Sequence, residues 1–147
     1  MLIAKGTWVL AADGARFLLF RNEGNASAPE LVTQAHEAIS NPPSRDQGSD
    51  MPGRTFSSDG ASRSSYEDTD WHRQAKERFA AHAAAILDSA MMRDDGAIVV
   101  IAPPQTLGEL RKHYGAGVVS RLRAEIPKDL AGHTTGDIID AILVHEP

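Results

Sequence analysis

Hydrophobic side chains follow two different rhythms in this sequence, one on either side of a long polar stretch. In the first part, Thr7-Trp-Val-Leu-Ala-Ala12 and the run from Ala15 to Arg21 are rich in strand-forming residues and are separated by Asp13-Gly14. That dipeptide tolerates positive φ at the central positions of a tight turn, so the pattern predicts an antiparallel hairpin. After a turn at Glu23-Gly-Asn-Ala26, the segment Pro29-Glu-Leu-Val-Thr-Gln-Ala-His36 reads as a third strand, with a short helix running into Ile39 as the alternative.

Beyond the polar stretch the period changes. Asp68, Thr69 and Asp70 are N-cap residues placed directly before Trp71. Ala75, Phe79, Ala83, Ile86, Leu87, Ala90 and Met91 then recur at steps of three and four, which predicts an amphipathic helix ending near Asp94-Asp95-Gly96. Ala97-Ile-Val-Val-Ile-Ala102 is a continuous apolar run, too short for a helix and rich in β-branched residues, as a strand covered on both faces requires. Read this way it is the central strand. Pro103 and Pro104 close it, and Thr106 to Tyr114 reads as a helix with Leu107 and Leu110 inward. Gly115 marks the end of that helix, Gly117 a place of close packing, and a short apolar segment follows at Val118 and Val119. Leu122-Arg-Ala-Glu-Ile126 alternates like a half-exposed strand, and Pro127 makes it an edge or ends it. Thr134 is placed to cap a last helix with Ile138, Ile139, Ile142 and Leu143 at helical spacing.

The order of elements is therefore β-β-β, a long connection, then α-β-α-β-α. Three antiparallel strands joined to βα units by right-handed crossovers give an α/β fold. The expected architecture is a five-stranded mixed sheet in the order 3-2-1-4-5 with helices on its faces, of ribonuclease H-like topology.

Composition narrows the function. The 147 residues and 41% hydrophobic content suit one domain spanning 1–147 with one core. A net charge of −5 argues against a general nucleic-acid binder, which needs a broadly basic surface. With no cysteine, disulfides, thiol catalysis and Cys-ligated zinc are all ruled out. The amino-terminal residues lack the apolar core of a secretion signal, and no stretch approaches the ~20 apolar residues of a membrane span. A cytoplasmic protein is expected.

Candidate chemistry is sparse. A ribonuclease H-like nuclease needs acidic side chains converging on the sheet to hold Mg²⁺, yet Asp13 falls in a turn and the apolar strand ends in Ala102-Pro103. Gly115-Ala-Gly117-Val-Val-Ser120 follows a helix rather than a strand, unlike a dinucleotide-binding turn. The six histidines include no i, i+4 pair, and no nucleophile with a matching base is recognisable. No cofactor or metal is expected. His72 alone stands where a helix begins and anions are favoured.

What remains is the stretch of about 29 residues from Asn41 to Thr69, made largely of Ser, Gly, Asp, Arg and Pro, a connection so long and polar that it is expected either to work as a flexible loop or to be disordered. Arg45, Arg54 and Arg63 recur within it at nine-residue intervals, as guanidinium forks suited to phosphates would. Against them stand Asp46, Asp50, Asp59, Glu67 and Asp68, leaving the stretch at −2, so solvated or internally paired arginines are an equal reading. Downstream, Arg73, Lys76, Arg78, Arg111, Lys112, Arg121, Arg123 and Lys128 outnumber the nearby acids and describe either a basic face or ordinary solvated surfaces.

Several stretches taken together resemble the bacterial host-attachment protein family: Thr7-Trp-Val-Leu-Ala-Ala-Asp-Gly-Ala-Arg16, Pro43-Ser-Arg-Asp-Gln-Gly-Ser-Asp-Met-Pro-Gly-Arg-Thr-Phe-Ser-Ser58, Phe79-Ala80, Val100-Ile-Ala-Pro-Pro-Gln-Thr-Leu-Gly-Glu-Leu110 and Glu125-Ile-Pro-Lys-Asp-Leu130. The resemblance covers nearly the whole chain. It implies a fold similar to the middle domain of archaeal and eukaryotic peptide-chain release factors, where a loop before the long helix carries the Gly-Gly-Gln that positions water at peptidyl-tRNA. No Gly-Gly-Gln occurs here: Gln47 lies between Asp46 and Gly48, and Gln74 is inside the helix. The first reading is therefore a translation-associated domain that binds the ribosome or tRNA, with Arg45, Arg54, Arg63 and His72 expected at phosphates and Gly53 and Gly60 permitting close approach. The alternative is an adaptor whose 41–69 loop binds a protein partner.

Overall fold

In a computed structural model of the chain, residues 1–38, 74, 75 and 77–145 are described. Among these residues, five strands and four helices follow one another: β1 (Trp8–Ala12), β2 (Arg16–Asn22), β3 (Leu31–Ala38), α1 (77–91), β4 (Ile98–Ile101), α2 (Pro104–Arg111), α3 (Ala116–Arg121), β5 (Leu122–Ile126) and α4 (Thr135–Val144). The strands form one mixed sheet in the order β3-β2-β1-β4-β5. β2 pairs antiparallel with both β1 and β3, whereas β1, β4 and β5 run parallel. The expected α/β architecture and strand order are therefore those observed, and the third segment is a strand rather than a helix.

Period-2 alternation divides the core between the two faces of the sheet. Trp8, Leu10, Phe17, Leu19, Ile98 and Val100 point to one face, where Phe79, Ala83, Leu87 and Met91 of α1 meet Leu107 and Leu110 of α2 and Val118 of α3. Val9, Ala11, Phe20, Val99, Ile101 and Ile126 point to the other, beneath Ile138 and Ile142 of α4 and Ile3 of the amino-terminal segment. Thr134 caps α4 as expected, its hydroxyl accepting the Asp137 N–H at 3.1 Å.

Four details differ from the sequence reading. The central strand is β1, with β4 beside it; both are buried throughout, so an apolar run alone does not rank them. The β1–β2 turn does not use a left-handed Gly14, since Gly6 is the positive-φ glycine among the described residues. It is closed by the Asp13 carboxylate, whose Oδ1 accepts the N–H groups of Ala15 at 2.7 Å and Arg16 at 2.8 Å, an Asx-type turn. α2 starts at Pro104, where a missing N–H costs nothing in the first turn. Finally, Gly115 opens the additional helix α3, and it rather than Gly117 is the close approach: a β-carbon at 115 would stand 2.7 Å from Asp88 Oδ1, whereas one at 117 would meet only the Met91 Cβ at 3.9 Å.

Candidate functional site

The parallel strands β1, β4 and β5 all point their carboxyl ends to the same end of the sheet, where ligands of open α/β sheets commonly bind. The chain leaves β3 at that end and comes back into α1 there. Ala38, the last residue of β3, is in register with Arg16, and Glu37 with Phe17. On the returning side, Phe79 of α1 packs its ring on Phe17, and His82 meets Phe17 edge-on with centroids 6.1 Å apart. His82 Nε2 and Glu37 Oε2 are also directly bonded, so one side-chain hydrogen bond and one aromatic cluster clasp the two flanks of the intervening stretch. The same rim carries the β1–β2 turn, where Arg16 Nε donates to Asp13 Oδ2 at 3.2 Å. Asp13 is thus a turn former engaged with its own backbone and with Arg16.

Arg45, Gly53, Arg54, Gly60, Arg63 and His72, the residues singled out by sequence, lie outside the described residues, as do Arg73 and Lys76. The structure brings Arg16, Glu37 and His82 to the root of their segment instead. Sequence reasoning passed over these three, although the i, i+3 spacing of Asp13 and Arg16 across a turn was a usable signal.

Much of the expected basic face is committed within the fold. Arg111 donates to Glu125 from Nε at 2.9 Å and from Nη2 at 2.7 Å. Lys112 pairs with Glu109 at 3.2 Å, and Arg121 donates to the carbonyls of Met91 and Asp94. Arg123 and Lys128 are exposed. Burial raises the Tyr114 phenol well above its ordinary value, helped by the charge of Glu125 and by the bond Tyr114 donates to it at 3.2 Å, against an opposing pull from Arg111.

At the opposite end of the sheet a recess of about 360 Å³ is lined by Trp8, Leu19, Arg21, Ile86 and Asp94, among others. Arg21 is held there by Asp94 at 2.8 Å and Glu23 at 2.7 Å, and the Trp8 indole Nε1 is buried without an acceptor among the described residues. No group of three or more His, Asp or Glu side chains suited to a metal ion occurs among the described residues, and none of their helices is long and apolar enough to cross a membrane.

No curated protein matches the sequence significantly. The family comparison does give a match, to bacterial archaeo-eukaryotic release factor family 12, and it covers residues 6–142. That span takes in every strand of the sheet, all four helices but the last two residues of α4, and the whole connection from β3 to α1. A three-strand meander continued by parallel βα units is consistent with a release-factor middle domain, and the chain belongs to this release factor family.

Proposed function

We propose that the chain is a translation-associated RNA-binding domain, a single unit over residues 1–147, that meets the ribosome or tRNA in the cytoplasm through the 41–69 stretch and the start of the helix after it. The observation that carries this reading is the clasp of Glu37 with His82 and of Phe17 with Phe79. It fixes the two flanks of an arginine-bearing stretch side by side at the end of the sheet where α/β folds receive ligands, in a chain related to release factors. Arg45, Arg54 and Arg63 then supply guanidinium forks for phosphates, Gly53 and Gly60 allow the backbone to come close, and His72 adds a donor at the helix start. Rescue of stalled ribosomes is the role this reading favours. Peptidyl-tRNA hydrolysis is its narrower form, and the missing Gly-Gly-Gln puts binding ahead of catalysis.

Replacing Arg54 and Arg63 together by alanine should weaken co-sedimentation with 70S ribosomes. The log–log salt dependence should become shallower by roughly 0.7 to 1 for each phosphate that the variant no longer neutralises. Unchanged co-sedimentation and slope refute the reading.

One observation favours a second reading: the 41–69 stretch holds five acids to three arginines. On this reading it orders on a basic protein partner, and any role in attachment to host cells is an indirect consequence of that adaptor function. Pull-down from nuclease-treated lysate separates the two, since an adaptor keeps its partner after RNA is destroyed.

A further inference from the structure

We infer that Arg16, laid against Gly132 at the root of the 41–69 stretch, is a fixed phosphate-binding fork for an RNA backbone, an inference that rests on the RNA-binding reading above. Two segments far apart in sequence build it. From the β1–β2 turn, Asp13 orients the guanidinium by accepting from Nε at 3.2 Å. Asp13 cannot swing away, because its other oxygen already holds the N–H groups of Ala15 and Arg16 at 2.7 and 2.8 Å.

The second segment is the connection from β5 to α4. A β-carbon at Gly132 would stand 2.6 Å from Arg16 Nη2, 3.1 Å from Cζ and 3.4 Å from Nη1, so the guanidinium rests where any other residue would displace it. Only its Nε is used: Nη1 and Nη2 have no acceptor among the described residues, and the side chain is 52% exposed. A guanidinium with a pinned base and a free outer edge presents the planar, bidentate donor set that matches a phosphate.

Its place in the fold points the same way. Arg16 is in register with Ala38, from which the chain enters the segment carrying Arg45, Arg54 and Arg63. Asp129 and Asp137 on the same connection and helix start oppose a polyanion, so a phosphate here has to be held by directed donors against their charge. His133, beside Gly132, faces Asp137 at 3.3 Å. As a structural pair alone, Arg16–Asp13 would be an exposed salt bridge worth at most about 1 kcal/mol.

The test uses the full chain, fluorescein-labelled tRNA and 70S ribosomes over a range of salt. Arg16→Ala should weaken binding roughly tenfold and make the salt slope shallower by the share of roughly one phosphate. Arg16→Lys, which keeps the charge without the fork, should fall between it and the native chain. Gly132→Ala leaves every charge in place and moves only the guanidinium, so it should weaken binding several-fold with thermal unfolding close to native. If Gly132→Ala fails to fold, Arg16→Lys decides. Native affinity and slope in the Arg16 and Gly132 variants, alongside weakened binding in the Arg54/Arg63 double variant, overturn the assignment and leave the RNA reading standing. Absence of salt-dependent binding by the native chain overturns both.

Discussion

Phe17 of β2 and Phe79 of α1 stand with ring centroids 5.5 Å apart and planes tilted by 48°, each almost wholly buried. This pairing joins the first long helix to the meander beside the Glu37–His82 pair, so the packing that stabilises the fold also fixes the platform from which the 39–73 segment departs.

Phe79→Ala should therefore cost about 3–5 kcal/mol, because it removes a buried ring and leaves a cavity between helix and sheet. Phe79→Leu should cost distinctly less. Urea denaturation measures both; a loss under about 1 kcal/mol for the alanine variant would mean that α1 is not anchored through this ring.

Asn22 is fully buried at the end of β2 and spends every polar group it has. Its amide donates to the carbonyls of Ile3 and Ala4 at 3.1 and 3.2 Å, and its Oδ1 accepts from Gly24 at 3.0 Å and Glu30 at 2.9 Å. Asn22→Leu leaves these backbone groups without partners, at about 1–3 kcal/mol for each that water does not reach. The expected result is a lowered unfolding midpoint together with faster amide exchange at Gly24 and Glu30. Native-like exchange there contradicts the assignment.

Tyr114 should make the fold sensitive to alkali. Its phenol titrates above its ordinary value near 10 when folded, so the folded chain keeps a proton that the unfolded chain gives up. Stability is complete below about pH 10 and falls as pH rises beyond it. Tyr114→Phe should cost about 1 kcal/mol at neutral pH, from the missing bond to Glu125, and should unfold with a flatter profile above pH 10. An equally steep alkaline limb in the variant refutes the linkage.

Asp94 works in the opposite direction. Partial burial pushes its carboxyl upward, but the bond from Arg21, the N–H groups of Asp95 and Gly96 and the Arg21 charge outweigh it, and the net displacement is below the ordinary value. A lowered value means stability that is present above the usual aspartate range, about 3.9, and is lost as pH falls through the folded value. Asp94→Asn should lower the melting temperature at pH 7, and the gap from the native chain should close on acidification. A constant gap down to strong acid contradicts this.

The sheet was legible because its information is periodic. The hairpin, the apolar Ile98–Ile101 run and the helical spacing from Phe79 to Met91 each state a burial pattern, and right-handed crossovers convert the element order into the strand order. Where the outcome turned on local bonding, the pattern was silent. The turn depends on which atoms Asp13 reaches, and α3 hides because two glycines in Gly115-Ala-Gly117 weaken its helical signature. Arg16 was unreadable for a related reason: its significance lies in Gly132, which is 116 positions away and carries no side chain to announce a contact. The arginines of the 41–69 stretch stood out through spacing, while the rim that anchors their segment emerged only from tertiary packing.

The central claim is that RNA is gripped by the 41–69 stretch from the rim where β3 ends and α1 begins. Ultraviolet crosslinking in cells, with mass-spectrometric mapping of the crosslinked residues, tests it most directly. The account predicts ribosomal RNA or tRNA attached within 41–72, at or beside Arg45, Arg54, Arg63 and His72, and on the rim near Arg16. Crosslinks confined to protein partners, or RNA attached only on the far side of the sheet, would contradict it.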